Sequence, residues 1–111
     1  MRLIFIRHAE PDYSIDSLTQ KGWREAALLA ERVARWKVDE FYCSPLGRAR
    51  DTASLSLKKC NRNAVVYPWL REFQAPVVDP ETGREKHPWD LKPGYWTKID
   101  EMHDVERFCD T

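Results

Sequence analysis

Polar and apolar positions change period several times along the chain. Leu3 to Ile6 are continuously apolar, and residues 2–7 read as a strand buried on both faces, the pattern of a parallel sheet. The stretch "PDYSIDS" that follows Glu10 is loop-like, with Pro11, Asp12 and Ser14. Thr19 is a helix N-cap candidate. After it Trp23, Ala26, Ala27, Ala30 and Val33 recur at helical spacing, which predicts an amphipathic helix over 20–36 with this stripe in the core. "DEFYCS" at 39–44 reads as a short strand. Ser44 then serves as N-cap, with Pro45 at the first helical position. The second helix runs to about Lys59, with Ala49, Ala53 and Leu57 on one stripe, and "AVVYP" at 64–68 is a third strand. Strand, helix, strand, helix, strand predicts a parallel α/β sheet with right-handed crossovers.

Beyond Glu72 the character changes. Residues 75–96 hold Pro76, Pro80, Pro88 and Pro93 with Gly83 and Gly94, and read as a long structured loop. Its Trp89, Tyr95 and Trp96 either roof a substrate pocket or pack the loop itself. From Thr97 on, Ile99, Met102, Val105, Phe108 and Cys109 recur at helical spacing and predict a final acidic helix.

Composition narrows the choice of function. The 111 residues suffice for one small domain, and 42% hydrophobic content permits a real core. Lys+Arg and Asp+Glu balance at 18 each, which argues against nucleic-acid and membrane-surface partners. A small anionic ligand stays open, since a pocket needs only local positive charge. Cys43, Cys60 and Cys109 are odd in number and widely spaced, so a reduced, cytoplasmic setting is expected rather than a disulfide framework. No apolar run approaches the ~20 residues of a membrane span. Leu3 to Ile6 is too short for a signal-peptide core.

In parallel α/β sheets, ligands bind beyond the carboxyl ends of strands. Three features fall there: Arg7 and His8 after the first strand, Ser44 and Pro45 leading to Arg48 after the second, and Leu70, Arg71 and Glu72 after the third. Each alone has a bland reading as a strand-end histidine, a surface ion pair or a solvated glutamate. Together they make a chemical set. A neutral imidazole is a nucleophile that needs no base. Arginine forks match phosphate oxygens and hold their charge. The start of the second helix adds free N–H groups and partial positive charge. A carboxyl can protonate a leaving alkoxide. These parts describe phosphoryl transfer through a phosphohistidine. A metal site from His8, Glu10 and Cys43 lacks paired-ligand spacing, and the first turn has neither a G-x-G-x-x-G nor a Walker A motif.

"LIFIRHAE" at 3–10, "LTQKG" at 18–22, "YCSPLGRARDTA" at 42–53 and "LRE" at 70–72 resemble, in order and spacing, the successive motifs of the histidine phosphatase superfamily, the phosphoglycerate-mutase-like fold. The resemblance covers roughly the first two-thirds of the chain. It implies a three-layer α/β/α fold with a mainly parallel sheet, in a single, partial domain over 1–111; the 75–96 loop, which follows Glu72 directly, is expected over the substrate site. It implies His8 as the phosphorylated nucleophile, Arg7 and Arg48 as phosphoryl clamps, and Glu72 as proton donor and then base. Arg50 falls off the motif position and is expected at the surface. No cofactor or metal is implied.

The family pattern also has a second histidine, Gly- or Ser-flanked, after a later strand. His87 in "REKHPWD" and His103 in "EMHDVE" do not match it. The family's strand order, 3-2-4-1-5-6, would leave strands 1 and 2 without the strand between them. The expectation is therefore an N-terminal portion of a longer protein, weakly active or inactive by itself. A strand supplied by a second copy, in a homodimer, and a rearranged sheet are the alternatives. Mutases of the family carry an Asn and a Gly-Trp segment after the RH pair, and "AEPDYSIDSLTQKG" has neither. The expected function is thus a phosphomonoester phosphatase with a small phosphorylated substrate. The rivals are a catalytically dead phosphate-binding or regulatory domain and a mutase-type phosphotransferase.

Overall fold

Thr19 starts the first helix as the sequence predicts: it is extended (φ −68°, ψ 169°), and its hydroxyl accepts the Gly22 N–H at 3.0 Å. The computed structural model describes residues 1–73, 76–104 and 106. They fall into two compact units, Met1–Arg71 and Glu72–Thr111.

In the first unit, β1 (Pro11–Asp12) pairs antiparallel with β2 (Ser17–Leu18), joining Pro11 to Leu18 and Asp12 to Ser17. Helix α1 follows at Gln20–Val33. It stops short of the expected residue 36. The N–H groups of Arg35 and Trp36 bond back to the carbonyls of Arg32 and Val33, the three-residue spacing of a tightened last turn. β3 (Tyr42–Cys43), α2 (Gly47–Cys60) and β4 (Val65–Val66) come next. β3 and β4 pair in parallel, Tyr42 with Val65 and Cys43 with Val66, across α2 as crossover.

The buried stripe differs from the predicted one. On α1 it is Gly22, Ala26, Ala30 and Val33, while Trp23 is 37% exposed and Ala27 is exposed. On α2 it is Thr52 and Ser56, and the predicted Ala49, Ala53 and Leu57 are only half-buried. α1 packs mainly against α2, and small side chains at the contact let the two backbones come close. A tryptophan in that seam would hold them apart. Gly22 is required by another close approach: a Cβ there would lie 2.2 Å from the Glu10 carbonyl oxygen. α2 starts at Gly47 rather than Pro45, and Leu46 at the cap position makes no side-chain cap. Ser44 Oγ instead accepts the Leu46 N–H at 3.3 Å.

The strand expected at 2–7 is not formed. Residues 1–9 have no regular secondary structure, and Leu3, Ile4, Phe5 and Ile6 are exposed. A strand buried on both faces needs a paired neighbour, and among the described residues none pairs with this segment. Among the described residues the sheets are three two-stranded ones, of which β3–β4 is parallel, in place of the mainly parallel sheet expected.

In the second unit, β5 (Val77–Val78) and β6 (Glu85–Lys86) form an antiparallel hairpin inside the stretch predicted as loop. Gly83 turns it with φ +68°. Asp79 is 3% exposed; it accepts from the Glu81 N–H at 2.9 Å and the Thr82 hydroxyl at 3.0 Å, and pairs with Lys86 Nζ at 2.7 Å. Val77 and Leu91 are buried, and short 3₁₀ turns occupy Pro88–Asp90, Pro93–Tyr95 and Asp100–His103. Of the predicted final helix, Asp100–His103 is a 3₁₀ turn, while Val105, Phe108 and Cys109 lie outside the described residues. Among the described residues, no helix is long and apolar enough to cross a membrane.

Candidate active site

His8 is half-buried in the segment leading to β1. Its Nδ1 lies 2.8 Å from the Ala9 carbonyl oxygen. A carbonyl oxygen only accepts, so Nδ1 carries a proton and donates it, which in the neutral ring leaves the lone pair on Nε2. The backbone fixes the tautomer a nucleophilic imidazole needs.

A second contact ties this turn to α2. The Ala9 N–H donates to Thr52 Oγ1 at 3.0 Å, and the Thr52 hydroxyl donates to the Arg48 carbonyl at 2.7 Å. Thr52 is one turn beyond Arg48 on α2 and only 4% exposed, so this bridge fixes the His8–Ala9 turn against the first turn of the helix. Tyr13, in the β1–β2 loop, stands beside both groups. Its ring meets His8 edge-on, 6.4 Å between centroids, and the Arg48 guanidinium carbon lies 5.2 Å from its centroid.

The same loop reaches the start of α2. Asp16, at φ 46°, accepts the Gly47 N–H at 2.6 Å, the Arg48 N–H at 3.3 Å and Arg48 NH1 at 2.9 Å. These contacts, led by the Gly47 N–H, hold the Asp16 carboxyl below its ordinary value. Glu10 is fixed from the other side: the Thr19 hydroxyl donates to it at 2.6 Å, and Lys21 Nζ stands 3.5 Å away. The Thr19 bond is the main cause of its lowered pKa.

The structure therefore brings His8 and Arg48 together, two of the residues singled out from the sequence. Arg7 is exposed on the adjoining segment, outside this set of contacts. Glu72 is exposed and opens the second unit. Arg50 is exposed, as expected. Cys43 is buried, and burial pushes its thiol pKa up, so it is a packing residue. Tyr13 and Asp16 had no motif to mark them, and Thr52 lies inside the "SPLGRARDTA" motif without a role assigned to it. The one local hint was an Asp in a tight loop, since Asp tolerates the left-handed backbone.

A positive fork and an imidazole with its proton on Nδ1 can bind a phosphoryl group and attack its phosphorus; the N–H groups of Gly47 and Arg48 at the start of α2, expected to be free, are taken by the Asp16 carboxylate. Comparison with known proteins points the same way. The family described as the histidine phosphatase superfamily (branch 1) matches residues 3–108. The chain is 30% identical over 88 residues to the probable phosphoglycerate mutase GpmB of Photorhabdus laumondii, covering 71% of this chain and 41% of that protein. The same figures hold for the probable phosphoglycerate mutase GpmB of Proteus mirabilis. It is 33% identical over 80 residues to the 2,3-bisphosphoglycerate-dependent phosphoglycerate mutase of Thermoplasma acidophilum, covering 63% of this chain and 40% of that protein. The chain spans about two fifths of the length of these relatives.

Proposed function

The chain belongs to the histidine phosphatase superfamily, and on that premise we propose that it transfers the phosphoryl group of a small phosphomonoester to His8 and then to water. The observation that carries this is the contact network joining the His8–Ala9 turn to Arg48 through Thr52 and Tyr13. In the first step Nε2 of His8 attacks phosphorus, the N–P bond forms and the P–O ester bond breaks. The leaving alkoxide takes a proton from Glu72, a role assigned through the "LRE" motif. In the second step water attacks phosphorus, Glu72 takes the water's proton, the N–P bond breaks and inorganic phosphate leaves. Arg7 and Arg48 carry the charge on the non-bridging oxygens.

The names of the relatives favour a second reading, phosphoryl transfer between hydroxyls of a phosphoglycerate. The loop "AEPDYSIDSLTQKG", without the Asn and Gly-Trp segment of the family's mutases, supports water as the acceptor.

One set of assays separates them. With an aryl phosphate, the expected result is turnover with acid-labile phosphate on His8, and a loss of roughly a thousandfold or more in His8→Ala. Turnover that survives His8→Ala overturns the phosphohistidine mechanism. Interconversion of 2- and 3-phosphoglycerate faster than release of inorganic phosphate selects the mutase. Vanadate binding without any turnover selects a phosphate-binding domain.

A further inference from the structure

Beyond the groups that touch substrate, we infer that Asp16 is the positioning residue for Arg48: its carboxylate, delivered by the β1–β2 loop, fixes the guanidinium that grips the phosphoryl group. The inference rests on the reading of Arg48 as a phosphate clamp.

Three observations carry it. First, one Asp16 carboxylate serves both the backbone and the side chain of the same residue, taking the Arg48 N–H and NH1 on Oδ1 and the Gly47 N–H on Oδ2. A charged hydrogen bond to each end fixes the stem as well as the fork. Second, the sequence makes room for this approach. A Cβ on residue 47 would lie 2.0 Å from the Asp16 carbonyl oxygen and 3.0 Å from its Oδ2, so only glycine lets the loop sit so near. The loop in turn adopts a left-handed backbone at Asp16 and is tied down by the 2.5 Å bond from the Ser17 hydroxyl to Asp51 on α2. Third, the Arg48 side chain is only 11% exposed, with the face of Tyr13 from the same loop against it. The loop therefore meets the guanidinium through both a carboxylate and a ring.

The simpler role for Asp16 is a helix cap supplied from a distant segment, since Leu46 caps nothing with its side chain. A cap needs only the backbone N–H groups of Gly47 and Arg48, whereas Asp16 Oδ1 also takes Arg48 NH1 at 2.9 Å. The other rival is a competitor: an anion on the clamp would repel phosphate, and its removal would tighten binding.

Vanadate affinity of the full chain, measured for wild type, Asp16→Ala, Arg48→Ala and the double variant, decides among these. Positioning predicts that Asp16→Ala weakens vanadate about tenfold in the wild-type background. It also predicts a change of less than about twofold where Arg48 is already alanine. Equal losses in both backgrounds, no loss, or tighter binding in Asp16→Ala each overturn it. Asp16→Asn keeps an acceptor for the Gly47 N–H and guards against a variant that does not fold. Its helix should melt as in wild type while the Arg48 Nε–H resonance broadens and vanadate weakens. An unchanged Arg48 resonance with unchanged vanadate affinity overturns the inference. If Arg48→Ala binds vanadate as wild type does, the phosphate-clamp reading itself falls, and this inference with it.

Discussion

Thr52 shows how a residue that does no chemistry of its own comes to matter at this site. Its buried hydroxyl accepts from the Ala9 N–H and donates to the Arg48 carbonyl, so it spends both capacities on joining the histidine turn to the arginine turn. Replacing it with valine keeps the volume and leaves the Ala9 N–H without its acceptor. Thr52→Val is expected to cost about 1–2 kcal/mol of stability in urea denaturation, and Thr52→Ser to restore most of it. Equal stability of wild type and Thr52→Val would remove Thr52 from the site's support. His8 and Arg48 were legible from sequence because each sits in a motif whose neighbours repeat the message. Thr52 falls within "SPLGRARDTA" as well, but its bond to Ala9 spans 43 residues, and nothing local encodes that partner. Asp16 and Tyr13 lie in a loop that pattern reading treats as a spacer.

Among the elements, the two helices and the parallel β3–β4 pair were legible. Their periodicity is long enough to fix type, and Thr19 marks its own helix start. Their buried faces were not, because hydrophobicity favours Trp23 while close helix contact selects Ala26 and Ala30, and Gly22 makes room for the Glu10 carbonyl. The β5–β6 hairpin was missed for a related reason. Two-residue strands carry no alternation to read, and what secures the turn is polar: Asp79 with Lys86, Glu81 and Thr82. That anchor has a pH signature. Chiefly through the Lys86 ammonium, the Asp79 carboxyl is lowered to about 2. Its value in an unfolded chain is about 3.9. The folded form thus holds the proton less tightly. Its contribution to the hairpin is fully present above about pH 4 and is lost as pH falls toward 2. Side-chain carboxyl NMR should show Asp79 titrating near 2, with the hairpin amides of Glu81 and Arg84 shifting in step. In Lys86→Met the midpoint should rise toward the ordinary range. A wild-type midpoint near 4 would mean that the Lys86 contact does not hold in solution.

For the whole molecule, the most consequential departure from the sequence reading is at the N-terminus. Composition there is that of an interior strand, yet Leu3 is 64%, Phe5 87% and Ile6 48% exposed. Single exposed apolar residues are ordinary on a soluble protein, whereas four in succession are not. Among the described residues no strand pairs with this segment, and it presents its backbone beside strand-favouring side chains, the combination that recruits a partner strand. Long-range repulsion does not oppose this, because Lys+Arg and Asp+Glu cancel to a formal net charge of zero. The 111-residue chain is therefore expected to bind an apolar dye such as ANS and to self-associate as its concentration rises into the range of about 10–100 µM. Phe5→Lys adds a charge and removes the most exposed ring of the run, so it should lower both signals without changing the helix content set by α1 and α2. Sedimentation velocity on the two proteins checks this directly. A wild-type chain that stays monomeric across that range, with no dye bound, would show that residues 3–6 find cover within their own molecule.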